Sequence, residues 1–444
     1  MAGLGMKVDI LSRKTIKPSS PTPPHLRNFK LSFLDQIFPP LQGRTVFFYA
    51  ADINQDTMDT SHGLQKSLSQ TLTRFYPLAG RLKDAATIEC NDEGAYFVEA
   101  RVRCHLSDFL RQPDADLVDQ LLPVDPKTTE VATAGCMLLI QFNIFDCGGT
   151  AIGVCPSHKL IDMSSQITFL QSWTAIARES GVEVVLPWPE LIGGSLLPSR
   201  DFSFILPAVN TPTPRFITKR FVFDASSIAG LKDRVGGALL SLGQRGQPTR
   251  VQVVLALIFK CAMAAARSKS GSSLRQSLLF QTVNLRKRMV PPLPENSIGN
   301  LIWTHPVLVK ESDIELHELV SKMKKGLTDF VNSKANKFKG DEGFVVICES
   351  FKEKGQLSGN GTESYRSTSL CRFPLYETDF GWGKPVWVSS ASVQFGNTVV
   401  LVNTKRGDGI EAWVSLEEQE MAVFQRNQDL LAFASFNPAV LSRL

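Results

Sequence analysis

A histidine and an aspartate four residues apart are the first side chains in this sequence whose types and spacing could do chemistry. His158 and Asp162 follow an apolar, β-branched run that a turn signal at 146–149 divides into two strand-like segments, as in a hairpin. A neutral imidazole can accept a proton near neutral pH, so a histidine at the end of a buried strand is a candidate general base. The same local pattern fits a core histidine and an aspartate that only caps a helix.

Asp162 predicts where the next helix begins. Its carboxylate can accept hydrogen bonds from the free N–H groups near Ser164 and Ser165, as an N-cap residue does, and apolar residues continue at helical spacing. If the strand ends near Ser157 and the helix begins at or after Asp162, the carboxylate does not face the imidazole. We therefore expect Asp162 not to orient His158; the alternative is an orienting role like that of the aspartate in a Ser-His-Asp triad.

One face of the strand before His158 carries almost no side chain. Ala151, Gly153 and Cys155 fall on that face at a period of two. A face of this kind lets another group approach the backbone closely. A substrate is one candidate for that group.

The composition is that of an ordinary globular protein. Of the 444 residues, 43% are hydrophobic and 20% charged, and the length allows two or three domains with full cores. The formal charge of +5 comes from dispersed basic residues, which argues against a nucleic-acid partner and is compatible with a small polyanionic ligand. With no apolar run of about eighteen residues and no charged-then-apolar leader, we expect no membrane partner and a cytoplasmic location.

The cysteines indicate neither disulfides nor a metal site. All eight are scattered, without a C-x-x-C pair or a histidine cluster at ligand spacing. Reduced, mostly buried thiols are therefore expected. We predict no metal.

The first half of the chain reads as mixed α/β. A strand is predicted at 8–16, and apolar residues at i+4 spacing indicate a helix from Ser61. Asn91-Asp92-Glu93-Gly94 stands between strand-like segments at 87–90 and 95–100, which is a hairpin signal.

A proline-rich stretch at 186–215 divides the chain. It has no apolar period but is too apolar for a free linker, which indicates a crossover that lies against the protein. The predicted domains are therefore an N-terminal domain at 1–185, with His158, and a C-terminal domain at 216–444.

The second half carries further helix and strand signals. Thr249 is a predicted cap for an apolar helix to about residue 267, after a basic loop at 244–247. A strand at 278–283 leads to Asn284-Leu285-Arg286, and Ser415 with Glu418 is a predicted capping box for the last helix.

A second motif, Asp379-Phe380-Gly381-Trp382-Gly383, follows His158-x-x-x-Asp162 by about half a chain. With both motifs, in this order, the sequence resembles the plant BAHD acyltransferases. The resemblance covers nearly the whole chain and extends to Pro18-Ser19, Tyr76-Pro77-Leu78-Ala79-Gly80-Arg81, Asn284-Leu285-Arg286, Ile298-Gly299-Asn300 and Gly409-Ile410-Glu411-Ala412. It implies an α/β monomer of two chloramphenicol-acetyltransferase-like domains with mixed sheets, and an active-site channel at their interface.

The resemblance also implies a reaction, the transfer of an acyl group from coenzyme A to an alcohol or amine, with the acyl-CoA as co-substrate and no permanently bound cofactor. His158 would be the general base, and neither a serine nucleophile nor a metal is needed. The indole N–H of Trp382 is a candidate oxyanion donor. The alternative is structural: Asp379, Gly381 and Gly383 shape a turn, and Trp382 fills the core.

Two further assignments come from the family. Thr249 and Arg250 resemble its coenzyme-binding position, at a helix start that can hold phosphate; the alternative is a solvated basic face. In the family the aspartate that matches Asp162 turns away from the cleft and pairs with the arginine that matches Arg286.

The substrates follow from the branch of the family. The segment Asn296-Ser297-Ile298-Gly299-Asn300 lacks the Tyr-Phe-Gly-Asn-Cys form of the anthocyanin acylators, which argues against a malonyl donor and a pigment acceptor. The chain looks nearer the branch of vinorine synthase, salutaridinol acetyltransferase and capsaicin synthase. We expect acetyl transfer to an alkaloid or terpenoid alcohol, with N-acylation from a longer acyl-CoA as the alternative. A hydrolase of the Ser-His-Asp kind lacks support because no G-x-S-x-G elbow is present. A catalytically inactive binding protein of the same fold is a further alternative, but it would not need His158.

Overall fold

The computed structural model describes residues 5–52, 56–123, 135–178, 187–202, 215–243, 246–270, 276–310, 313–357, 362–390 and 395–440. The strands are β1 (Val8–Ile16), β2 (Asn28–Lys30), β3 (Thr45–Tyr49), β4 (Arg81–Asp84), β5 (Thr87–Glu89), β6 (Ala95–Val102), β7 (Leu138–Phe145), β8 (Thr150–Pro156), β9 (Phe216–Phe223), β10 (Ser277–Asn284), β11 (Ile302–Val309), β12 (Glu363–Ser369), β13 (Trp387–Ser389), β14 (Thr398–Asn403), β15 (Ile410–Glu417) and β16 (Ser435–Phe436). The helices are α1 (Phe33–Ile37), α2 (Thr57–Arg74), α3 (Leu106–Arg111), α4 (Ala115–Asp119), α5 (Met163–Arg178), α6 (Gly193–Leu196), α7 (Ala225–Ser241), α8 (Arg250–Ser270), α9 (Leu316–Ser333), α10 (Gly340–Leu357), α11 (Glu418–Phe424) and α12 (Gln428–Leu431).

The first sheet places the strand that precedes His158. Its order is β1-β6-β7-β8-β3-β13. A separate three-stranded sheet, β2-β5-β4, comes from the same half of the chain. β7 and β8 pair antiparallel, as the hairpin prediction requires, whereas β6 and β7 are parallel. α2 and α5 pack together, and the indole N–H of Trp173 donates to Ser67 Oγ at 3.1 Å. β13 comes from the second half of the chain and pairs antiparallel with β3.

The small-residue face of β8 is covered by the chain itself. A Cβ at Gly153 would lie 2.5 Å from the carbonyl oxygen of Leu121 and 3.0 Å from the side chain of Leu122. The same Leu121 carbonyl accepts from Asn143 Nδ2 at 3.0 Å. The expected close approach is therefore present, but its source is the segment after α4, and the substrate interpretation of this face is wrong.

The hairpin predicted around residues 91–94 is also wrong. β5 pairs with β2 and β4, while β6 pairs with β1 and β7. The turn carries the chain from the small sheet to the first sheet. The backbone N–H and the hydroxyl of Thr22 donate to the carboxylate of Asp92 at 2.8 and 2.6 Å and hold the turn in place. Gly94 has a φ of +98°, and a Cβ there would lie 2.4 Å from the carbonyl oxygen of Ile16.

The second sheet has the order β11-β10-β12-β14-β15-β9-β16. One face packs against α7, α8, α9 and α11 in a continuous apolar core. Residues 250–268 of α8 are long and apolar enough to cross a membrane, which the sequence reading did not anticipate, but 67% of that stretch is buried inside the fold. Its apolar surface is used in packing.

Two predicted helix caps have different outcomes. Thr249 caps α8 as predicted, because its Oγ1 accepts from Gln252 N at 3.2 Å while Gln252 Oε1 accepts from Thr249 N at 2.9 Å. The capping box at Ser415 is wrong, since β15 continues to Glu417, which itself precedes α11 without a side-chain cap. The strand pairing with β9 extends through both residues and leaves no room for an earlier helix start.

The crossover between the two halves is described only in part. Residues 186 and 203–214 lie outside the described residues, as do 244 and 245 of the basic loop. From 187 to 202 the segment contacts the protein: Leu197 O accepts from Phe33 N at 3.0 Å, and Phe202 is buried. The domain division at 1–185 and 216–444 stays a prediction. β13 lies within the predicted C-terminal domain in sequence but belongs to the first sheet.

Candidate active site

His158 lies directly after β8, in a short loop that leads to α5. Its backbone N–H donates to the carbonyl oxygen of Leu41 at 2.7 Å, and its ring stacks on Phe38 with centroids 4.7 Å apart and planes inclined by 6°. Burial lowers the pKa of His158 below its usual value of 6.5, while hydrogen bonding at the ring and the charge of Asp162 act in the opposite direction. The imidazole is therefore neutral at neutral pH, the form that a general base needs.

Asn300 holds the imidazole. Its Oδ1 lies 2.9 Å from His158 Nδ1, and its Nδ2 donates to the carbonyl oxygen of His158 at 2.7 Å. An amide that faces Nδ1 with its oxygen requires a proton on Nδ1. Nε2 is then the free acceptor in the neutral ring.

Asp35 in turn holds Asn300. Its Oδ1 accepts from Asn300 N at 2.7 Å and from Asn300 Nδ2 at 3.0 Å, while Oδ2 accepts from Ser32 N and Oγ at 2.9 and 2.6 Å. The carboxyl is 1% exposed, and burial raises its pKa from 3.8 to about 6 against the effect of these hydrogen bonds. Asp35, Asn300 and His158 thus form one hydrogen-bonded chain.

Asp162 faces Arg286 and not the imidazole. Its two oxygens accept from Nη1 and Nη2 of Arg286 at 2.7 and 3.0 Å, and both side chains are almost completely buried. Oδ1 also accepts from Ser165 N at 2.8 Å at the start of α5. Nη2 donates further to the carbonyl oxygen of Ser297 at 2.8 Å. The pair connects the loop of His158 to the end of β10.

The loop from Asp379 to Gly383 is shaped by its own aspartate. Asp379 Oδ1 accepts from Gly381 N at 2.8 Å and from Gly383 N at 3.0 Å. The two glycines have φ angles of +115° and +100°, which favour glycine. Arg178 Nη1 donates to the carbonyl oxygen of Asp379 at 2.7 Å and ties the loop to the end of α5.

Trp382 belongs to an aromatic cluster. Its ring stacks on Phe380 at 5.5 Å and meets the edge of Tyr49 at 6.0 Å. Its Nε1 is buried and has no hydrogen-bond partner within the described part of the chain. This geometry agrees with a packing role; an oxyanion role stays a hypothesis.

A cavity of about 1420 Å³ lies between elements of both halves. Its lining includes residues of the helices α5, α7, α8 and α9 and of the strands β10, β11 and β12. Among the described residues, its Lys and Arg side chains are Arg178, Lys232, Arg250, Arg286, Lys287, Arg288 and Arg372. Its acidic ones are Glu295 and Glu377. His158 is not part of this lining, which reaches Arg286, the partner of Asp162.

Thr249 and Arg250 both line the cavity. Arg250 Nη1 donates to the carbonyl oxygens of Gly407 and Asp408 at 2.6 and 2.8 Å, so part of this guanidinium holds the loop before β15. Burial, and then the like charge of Arg372, lower the pKa of Arg288 in the same lining. The cavity wall therefore carries an excess of positive charge.

Sequence reasoning missed the role of Asn300 and did not single out Asp35. Asn300 stands in the Ile298-Gly299-Asn300 segment, but nothing in its spacing indicates contact with a histidine 142 residues away. A signal for Asp35 was available, because Ser32 and Asp35 have the spacing of a capping box, and they form one at α1.

Comparison with known proteins gives consistent matches. Residues 6–431 match the Transferase family. Akuammiline synthase 1 of Alstonia scholaris is 39% identical over 97% of this chain and 98% of its own, and limonoid 7-O-acetyltransferase of Citrus sinensis is 36% identical over 98% and 100%. The crystal structure of vinorine synthase superposes with a TM-score of 0.82 at 33% identity, and covers 98% of this chain and 100% of that one.

Proposed function

Since the chain belongs to the Transferase family, the family of the BAHD acyltransferases that its motifs resemble, it is an acyltransferase, and we propose that it moves an acetyl group from acetyl-CoA to a hydroxyl of an alkaloid or terpenoid alcohol. One observation carries the proposal: the Oδ1 of Asn300 lies 2.9 Å from Nδ1 of His158. This contact leaves Nε2 as the proton acceptor in a buried, neutral ring.

The reaction follows from that arrangement. Nε2 of His158 takes the hydroxyl proton as the acceptor oxygen attacks the thioester carbonyl carbon. The carbon–sulfur bond then breaks, the ester forms, and the thiolate leaves and takes the proton back from the imidazolium. A simple thiol has a pKa of about 8.5, so the thiolate is a good leaving group. The protein also accelerates the reaction by holding both substrates together.

The positive cavity wall supports coenzyme A as the donor carrier. Coenzyme A brings a pyrophosphate and a 3′-phosphate, which basic side chains and helix N-termini bind. We assign Thr249 and Arg250 to this contact, because they stand at the first turn of the helix α8 and line the cavity.

The names of the relatives support the alcohol acceptor. The name limonoid 7-O-acetyltransferase denotes acetyl transfer to an oxygen of a terpenoid, and akuammiline synthase and vinorine synthase also match along nearly the whole chain. N-acylation with a longer acyl-CoA is the second candidate, since a cavity of about 1420 Å³ admits a longer acyl chain. A cytoplasmic monomer without nucleic-acid or membrane partners is part of the same proposal.

The test is an assay of the purified protein with acetyl-CoA against a panel of alkaloid and terpenoid alcohols, with products read by mass. We expect acetylated product, and His158→Ala should lower the rate by at least about a hundredfold, as loss of a general base does. His62→Ala, at an exposed histidine of α2, is the matched control and should keep full activity. Retained activity of His158→Ala, with an unchanged circular dichroism spectrum, would refute the base assignment.

A further inference from the structure

Asp35 is a buried carboxyl that forms no ion pair among the described residues, although its charge interacts with the ammonium of Lys159. Its four hydrogen bonds all come from neutral donors: two from Ser32 and two from Asn300. Above its pKa of about 6 the carboxylate keeps its full negative charge in the core, at 1% exposure. A carboxylate in this position is costly to bury. Its place behind Asn300 offers a reason for that cost.

We propose that Asp35 is a positioning residue for acyl transfer, which fixes the side-chain amide of Asn300 so that the amide oxygen faces Nδ1 of His158. The inference rests on the proposed function, in which His158 is the base. Asp35 does not touch the substrates in this scheme; it acts through Asn300.

The two orientations differ in every contact that the side-chain amide of Asn300 makes. With Nδ2 toward Asp35 and the carbonyl of His158, the amide donates at 3.0 and 2.7 Å, and its oxygen accepts from the ring. In the reversed orientation the amide oxygen would face a carboxylate and a carbonyl, so both hydrogen bonds would become repulsive. The amide NH₂ would then face Nδ1 and favour the tautomer with the proton on Nε2, which cannot accept the hydroxyl proton.

The charge of Asp35 acts on the same atoms during the reaction. The imidazole becomes positive when it takes the hydroxyl proton. A carboxylate behind the amide polarises it toward the ring and stabilises the imidazolium in a medium of low dielectric constant. The hydrogen bonds that fix the tautomer of His158 are thus the same ones that connect the charge of Asp35 to the ring.

The first experiment needs no variant. Long-range ¹H–¹⁵N spectra of the wild-type protein labelled on histidine, with His158→Ala for assignment, report which ring nitrogen carries the proton. We expect a protonated Nδ1 and an unprotonated Nε2 at His158 at neutral pH. A predominant Nε2–H tautomer would overturn the proposal. This result does not depend on the acceptor or on activity, so it is separable from failure of the proposed function.

The second experiment is a matched pair of variants. Asp35→Asn should lower kcat by about ten- to hundredfold with KM for both substrates within about threefold, as loss of an outer orienting group does, and should mix the two tautomers of His158. Asp224→Ala removes the cap of another helix, α7, and contacts neither Asp35 nor Asn300, so it should lower stability and keep kcat within about threefold. Equal losses of kcat in both variants would assign the effect to lost stability and overturn the positioning role.

Coupling provides the third measurement. Asn300→Ala removes the group through which Asp35 acts, so Asp35→Asn in that background should have no further effect on kcat. Independent losses that multiply in the double variant would contradict the proposal.

Discussion

At Trp382 the ring and the polar atom have different surroundings. The ring lies on Phe380 and Tyr49, whereas Nε1 is buried without a partner among the described residues. Trp382→Phe deletes that N–H and keeps an aromatic ring. We expect kcat to change by less than about threefold and the melting temperature to fall, because only packing is lost. A fall in kcat of roughly 10²–10³ with unchanged binding would instead establish the indole as an oxyanion donor.

His158 predicts the pH dependence of catalysis. Burial lowers its pKa below 6.5, and in the proposed mechanism the neutral ring is the active base. As pH rises, kcat/KM should rise with loss of the proton from the ring and reach its plateau with a midpoint below 6.5. The measurement is kcat/KM from pH 5 to 8 under conditions in which circular dichroism shows an intact fold. A midpoint above about 7 would show that the ring is stabilised in its charged form in solution.

Among elements, the ion pair of Asp162 and Arg286 joins the start of α5 to the end of β10. Removing one partner leaves the other charge buried, which costs about 3–5 kcal/mol. We expect Asp162→Asn and Arg286→Ala each to lower the free energy of unfolding by that order and to lower activity through the displaced loop. The double variant should cost much less than the sum of the singles. Thermal unfolding of the three variants measures both effects.

An exposed ion pair provides the control for this cycle. Lys325 and Asp329 pair at 2.5 Å on the surface of α9, and Lys325→Ala should change stability by about 0–1 kcal/mol. Additive losses at Asp162 and Arg286 would end the pairing hypothesis. Normal stability of Asp162→Asn with lost chemistry would support the triad-like role.

Most of the elements that position His158 could be predicted from period and turn chemistry. The hairpin of β7 and β8 and the cap at Asp162 are local features, and the structure contains both. The signal at 91–94 failed because the turn residues were correct but the partners of each strand lie far away in sequence. Ser415 failed because strand pairing extends through a local helix signal. In each failure tertiary pairing overrode a local preference.

The site was less predictable than the elements, since its hydrogen bonds are long-range. The contact between His158 and Asn300 spans 142 residues, and that between Asn300 and Asp35 spans 265. Asp162 could be excluded as the orienter from local geometry, but no local pattern names Asn300 in its place. Local residue patterns predict the orientation of a strand or helix, whereas the pairing of polar side chains in a core depends on the completed fold.

On the scale of the molecule, the two halves share structure. β13 completes the edge of the first sheet beside β3, and Arg286 and Asn300 of the second half hold Asp162 and Asp35 of the first. We expect a fragment of residues 1–202 expressed alone to be unfolded or aggregated, because an open strand edge and buried charges without partners remain. Circular dichroism and size-exclusion chromatography of the fragment beside the full chain test this. A folded, monomeric fragment would contradict it.

The same arrangement affects the order of events during synthesis. The ribosome makes His158 well before Asn300, which stands 142 residues later. Until Asn300 has emerged and folded against β8, a nascent chain carries a histidine whose Nδ1 lacks this acceptor and whose loop lacks Arg286. Such a chain has no means to select one tautomer of the ring. The proposed base is therefore positioned only after Asn300 has been made, and a polypeptide that ends before that residue carries an imidazole without its amide partner.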